Sequence, residues 1–211
     1  MTNSNPINSI AKTGAIAGIL ATVCYFGAAV LSLPDGLSRL MGFAFGPLVV
    51  VSYIGIYAHW SQKHDGALLR ISYIFGIIYG AIVTSLIFIQ VANNMWHEES
   101  MVLADTESAK ESAQMVHRAV NRVQAALDVA FDLFVTVSVI LLGIVLLKDS
   151  FVSLIFGITG IVIGGLLLFL NLYTFPDGPY EAGLFDAGPF LGLWYAAFYI
   201  WMLTILLKRT N

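Results

Sequence analysis

Six uninterrupted apolar runs constrain this chain more than any other feature, because about 20 apolar residues in a helix cross roughly 30 Å of hydrocarbon. The runs extend approximately from Thr13 to Leu33, Gly46 to Trp60, Leu68 to Val91, Ala125 to Leu147, Phe151 to Tyr173 and Pro189 to Leu207. With 58% of its residues hydrophobic, only 11% charged and a mean hydropathy of +0.84, the chain lies outside the range of a soluble domain. The expected fold is all-α: a polytopic membrane protein, a six-transmembrane-helix bundle forming one integral membrane domain over residues 1–211. The second run is the shortest.

The leader "MTNSNPINSIAK" carries one lysine, and no small-x-small cleavage site follows the first run, so that run is read as a retained span. Cys24 is the only cysteine, which excludes an intrachain disulfide. Val23 stands where a lipoprotein signal needs a small residue, so Cys24 is expected to be a small core side chain.

Basic residues set orientation. With the N-terminus in the cytoplasm, the inner segments hold Lys12, Lys63, Arg70, Lys148, Lys208 and Arg209, and the outer ones hold Arg39, Lys110, Arg118 and Arg122. The acids lean the other way. Asp35, Glu98, Glu99, Asp105, Glu107, Glu111, Asp177, Glu181 and Asp186 fall outside, against Asp65 and Asp149 inside. The positive ends of the helix 2, 4 and 6 dipoles at the outer surface account for those acids without a bound cation. The expected location is the cell membrane, of the inner or cytoplasmic type, with both termini cytoplasmic.

The chain also repeats itself. An offset of 142 residues superposes Pro34 on Pro176, Asp35 on Asp177, Gly36 on Gly178, Phe43 on Phe185, Gly46 on Gly188 and Pro47 on Pro189. Ile16, Gly18 and Ile19 fall on Ile158, Gly160 and Ile161, and Tyr53 and Tyr57 fall on Tyr195 and Tyr199. Helices 1–2 and 5–6 therefore read as a parallel repeat about an axis along the membrane normal, an arrangement found in some transporters. Independent choice of good turn residues would produce part of the same pattern. In either case Pro34 and Pro176 stop an outgoing helix, Asp-Gly closes a turn, and Pro47 and Pro189 occupy the first turn of a returning one.

Helices 3 and 4 have no counterpart in the repeat. Neither Gly nor Pro occurs from Ala81 to Leu142, and "SAKE" (Ser108 to Glu111) has capping-box spacing. A helix from about Ala109 to Leu147 would be roughly 58 Å long. Residues 93–124 are accordingly expected to form an extracytoplasmic helical extension. Pairs spaced by four, Gly14 with Gly18, Gly76 with Gly80 and Gly160 with Gly164, suit close approach of helix backbones.

One face of helix 4 carries His117, Asn121, Gln124, Asp128, Asp132 and Thr136 at spacings of three and four. A charge near the bilayer centre costs about 2.5–3.5 kcal/mol on insertion scales, so two acids on one face should turn towards the bundle interior or a water-filled cavity. Gln90, Asn93 or Asn94, and His97 mark the facing end of helix 3, and Asn171 lies near the outer end of helix 5. Together Asp128, Asp132, Gln124, Asn121, Gln90, Asn94 and Asn171 are the candidate ligand-binding or proton-carrying residues. The bland alternative has the two aspartates satisfied structurally by amides or arginines.

His97 and His117, completed by Glu98 or Asp128, would make a metal site for a hydrolase, although no zinc-type His spacing supports it. His59 and His64 fall on the cytoplasmic side. The tyrosine pairs, and Trp60, Trp96, Trp194 and Trp201 near span ends, read as packing or interfacial anchors. No phosphate loop, serine elbow or basic nucleic-acid patch is present. No cofactor is expected, and the partners expected are membrane lipid, with other membrane subunits or a homo-oligomer in reach, and no nucleic acid. Three functions fit: an outward-facing polar pocket binding or transporting a small solute, ion or proton; a small accessory subunit docking through the helix 3–4 extension; and a membrane-embedded metal-dependent hydrolase.

Overall fold

The computed structural model describes residues 6–29, 31–180 and 182–208. Val30 of the first run, and Glu181 and Arg209 of the charge balance, lie outside the described residues. The chain forms α1 (Pro6–Ala29), α2 (Asp35–Trp60), α3 (Ala67–Leu103), α4 (Glu107–Leu146), α5 (Phe151–Thr174) and α6 (Gly188–Lys208). All six are long and apolar enough to span a membrane. Each helix packs on its neighbours in sequence, and α6 returns to α1, so the six close into a ring.

Two helices exceed what a bilayer requires. At 1.5 Å per residue α3, with 37 residues, and α4, with 40, run about 55 and 60 Å, nearly twice the hydrocarbon thickness. The two are joined at Ala104–Thr106, which makes a hairpin extension at one end of the bundle; the opposite end carries the start of α1 and the end of α6. The start of α4 differs from the expected capping box. Thr106 Oγ1 accepts from the Ala109 amide at 3.2 Å, so the cap lies two residues before Ser108 and the helix begins at Glu107.

α2 also corrects an expectation. It starts at Asp35, directly after Pro34, so Asp35 and Gly36 are helical instead of forming a turn, and Pro47 lies well inside the helix. Pro34 supplies a fixed φ of −54° and Asp35 places a carboxylate at the positive end of the helix. The equivalent stretch before α6 stays irregular: Pro179 follows Gly178 and lacks an amide hydrogen, and Gly183 takes a positive φ of 75°. Of Pro47 and Pro189, the second therefore sits in a first helical turn, as expected, and the first does not. The segment 35–46 remains helical because it buries Gly42 and Gly46 against α3 and stacks Phe43 on Phe88 at 4.2 Å.

Lipid tails are as apolar as leucine, so the bundle is held by close packing and interhelical hydrogen bonds instead of by exclusion of water. Gly14 on α1 meets the backbone of Gly55 on α2, leaving no room for a side chain at either position. Towards the termini, Ile56, Trp60, Leu69, Leu142, Leu146, Phe198, Met202 and Leu206 are fully buried and pack the interior of the ring. Trp60 stacks on Phe198 at 5.3 Å, and Phe156 stacks on Trp201 at 5.0 Å. At that end Lys63 and His64 approach Asp149 at 3.4 and 3.2 Å, and Arg70 pairs with Asp65 at 2.7 Å.

Candidate functional site

Above the packed half, the ring opens into a cavity of about 620 Å³ that reaches the end carrying the extension. α1 contributes small residues, Gly18, Ala21, Thr22 and Cys24, which keep the space open, together with Tyr25. α2 gives Asp35 and Arg39 near the mouth and Phe45 and Tyr53 deeper; α3 gives Tyr79, Gln90, Asn94 and Glu98; α4 gives Asp128, Phe131, Asp132 and Val135. Leu167 of α5 and Leu191, Tyr195 and Tyr199 of α6 complete the wall.

Four of the sequence candidates line this space: Asp128, Asp132, Gln90 and Asn94. Asp128 is open to the cavity, and Asp132, one turn deeper, is half-buried. The buried Asn171 donates from Nδ2 to the Leu167 carbonyl at 3.0 Å, and its amide also faces the Asp132 carboxyl. Asp186, in the segment before α6, lies near enough to act electrostatically on Asp132 and on Tyr25. Carboxylates thus occur at several depths of one cavity.

Asn121 and Gln124 lie elsewhere. Along the extension α3 and α4 pack on each other, with α2 reaching its base through Arg39 beside Met95, and the outer part of the polar stripe turns towards α3. Asn93, not Asn94, donates to Asn121 Oδ1 at 2.8 Å and approaches the His117 carbonyl at 3.3 Å. Gln124 is half-buried, and its Oε1 has no hydrogen-bond partner among the described residues. The stripe therefore divides into an α3–α4 seam above and a cavity wall below.

The His97 and His117 rings stack with centroids 4.2 Å apart and planes inclined by 18°. A metal lies in the plane of each imidazole that binds it, and two nearly parallel planes do not share such a point. Asn121 Nδ2 lies 3.1 Å from His117 Nε2. Among the described residues, no group of three or more His, Cys, Asp and Glu side chains is placed to hold a metal ion.

A hydroxyl network forms the floor. Tyr53 and Tyr195 share a hydrogen bond between their phenol oxygens. Ser72 Oγ donates to the Ser138 carbonyl at 2.8 Å, while Ser138 Oγ lies 2.8 Å from the Ser72 carbonyl and 2.9 Å from Tyr53 Oη. Tyr199 Oη and Ser52 Oγ are 2.7 Å apart. The four helices α2, α3, α4 and α6 are thereby tied together across the ring, where an unsatisfied hydroxyl would be costly. Gly18 faces the Tyr199 ring and Gly76 the Tyr53 ring, which admits both tyrosines to the centre.

The sequence reading did not single out these serines, nor Tyr25, Phe45, Tyr79 and Phe131. For Phe131 a signal existed, since it follows Asp128 by three positions and shares its face. The serines were visible only as isolated hydroxyls within apolar runs. The geometry defines a helical membrane protein with an amphipathic cavity open at one end. Comparison with family models, curated proteins and solved structures finds no match.

Proposed function

We propose that the protein binds, and through binding carries, a small solute in the membrane, using the cavity walled by Asp128, Asp132, Gln90 and Asn94. The orientation proposed puts the mouth and the α3–α4 extension on the extracytoplasmic side and both termini in the cytoplasm, following the bias of the basic residues. The cell membrane is the proposed location. The observation that carries the reading is the opening of two carboxyl groups of a spanning helix into a space of about 620 Å³. Ionisable groups inside a membrane are costly and mark solute and ion pathways, and this volume falls in the range of small-molecule sites.

The packed half beneath the hydroxyl network makes access one-sided, as one state of a carrier requires. The bond between Tyr53 and Tyr195, residues 142 positions apart, supports relating α1–α2 to α5–α6, since equivalent residues meet where a two-fold axis would pass. The second equivalent pair diverges: Tyr57 bonds Asp65 at 3.1 Å while Tyr199 bonds Ser52.

Cys24 lines the cavity and reports on it directly. A membrane-impermeant methanethiosulfonate reagent applied to the folded protein in lipid nanodiscs is expected to modify Cys24, read as a mass increase of the intact chain. An unreactive Cys24 in the folded protein, which becomes reactive on denaturation, would refute a hydrated cavity.

A second reading, as an accessory subunit of a larger membrane complex, is favoured by one feature of the extension. Trp96, Val102, Leu103, Met115 and Val116 are exposed there, Val102 to 84%. Gentle solubilisation followed by native mass spectrometry separates the readings: stoichiometric companion chains support the subunit, and a monodisperse single chain counts against it.

A further inference from the structure

The lining of the cavity narrows the chemistry of its ligand. Four carboxyl side chains, Asp35, Glu98, Asp128 and Asp132, line it against a single cationic one, Arg39. Arg39 Nη1 is directed to Met95 Sδ at 3.6 Å. Low-dielectric walls of predominantly one sign focus the field and concentrate counter-ions of the other, so the space favours cations. Charge alone would suit a metal ion as well as an organic one.

The rest of the wall decides between them. Tyr25, Phe45, Tyr79 and Phe131 present aromatic rings to the same space. Tyr25 packs against Phe45 at 5.7 Å and Tyr79 against Phe131 at 5.7 Å, so the rings form two adjoining panels. An aromatic face attracts an ammonium head electrostatically and gives its organic body an apolar surface. Divalent cations are usually held by several carboxylates at once, and among the described residues no group of three or more His, Cys, Asp and Glu side chains is placed to hold a metal ion. A space of about 620 Å³ also exceeds what a single ion occupies.

We infer that the cavity takes an organic cation, an amine or quaternary ammonium with an aromatic or aliphatic body, whose charge lies between Asp128 and Asp132 and whose body rests on the aromatic panels. This inference deepens the proposal that the cavity is a solute site and rests on it.

The native Cys24 tests both, separately. The protein in nanodiscs of neutral phosphatidylcholine is treated with 2-(trimethylammonium)ethyl methanethiosulfonate or with its anionic counterpart, 2-sulfonatoethyl methanethiosulfonate. Each rate is divided by that reagent's rate with free 2-mercaptoethanol. The normalised ratio of cation to anion is expected to exceed one by on the order of tenfold, to fall in Asp128→Asn and in Asp132→Asn, and to rise in Arg39→Gln. Benzyltrimethylammonium is expected to slow modification, and benzenesulfonate to leave it unchanged.

A ratio at or below one, or protection by benzenesulfonate in place of benzyltrimethylammonium, overturns the organic-cation inference and leaves the solute cavity standing. Failure of both reagents to reach Cys24 in the folded protein overturns the cavity reading itself. Because Asp128 is already open to the cavity, Asp128→Asn keeps the test valid if Asp132→Asn does not fold.

Discussion

Tyr53 and Gly76 depend on one another. The ring lies so close to the Gly76 α-carbon that a methyl group there would overlap it, and the ring's position sets the hydroxyl network with Ser138 and Tyr195. Gly76→Ala is therefore expected to lower stability by about 1–3 kcal/mol, the usual cost of overpacking a well-filled core. Thermal unfolding in detergent checks this, and an unchanged midpoint would mean that the ring has room to move. The sequence offered Gly76 with Gly80 as a helix-approach motif. That was correct for Gly80, which meets Val50 and the Gly46 carbonyl of α2, but incomplete for Gly76, whose partner is a side chain. Spacing identifies a small residue on a face without identifying what comes to fill the gap.

α4 does three jobs along its 40 residues: a seam with α3 in the extension, a cavity wall at Asp128 and Asp132, and a packed core from Val135 to Leu146. Its polar stripe was legible because helical periodicity fixes which side chains share a face. The division of that stripe was not legible, since it depends on where the ring of helices ends and the two-helix extension begins. The N-terminal cap belongs to this scale as well. Thr106→Ala should cost about 1 kcal/mol of local helix stability, seen as faster hydrogen exchange at the Ala109 and Lys110 amides, which bond to Thr106, while the Cys24 modification rate stays the same. α2 supplies the opposite lesson: Pro47 marked a helix start by local rule, yet packing on α3 carries the helix back to Pro34.

At the scale of the whole molecule, the end carrying the termini is fastened by charge pairs and the other end is left open. The Arg70 hydrogen bonds hold the Asp65 carboxyl below its ordinary range, helped by Tyr57. Partial burial pushes Asp149 up, but the His64 and Lys63 contacts outweigh it and leave that carboxyl lowered too. Depressed carboxyl values mean that this stabilisation is present above the unfolded value, about 3.9 for aspartate, and is lost as pH falls through the lower folded values. Unfolding midpoints recorded from pH 6 downward should fall below about pH 4, and less so in Asp149→Asn. Parallel curves for the two proteins would remove Asp149 from the account. The sequence by itself determined that six helices are long and apolar enough to span a membrane, that two of them exceed the length a bilayer requires, and that the acids of α4 share one face, because hydrophobic length and helical period are local properties of the chain. Only the tertiary structure decided that small residues on α1 stand opposite those acids, that tyrosines and serines from four helices meet beneath them, and that aromatic panels wall the space between, because such meetings depend on how α6 closes the ring against α1.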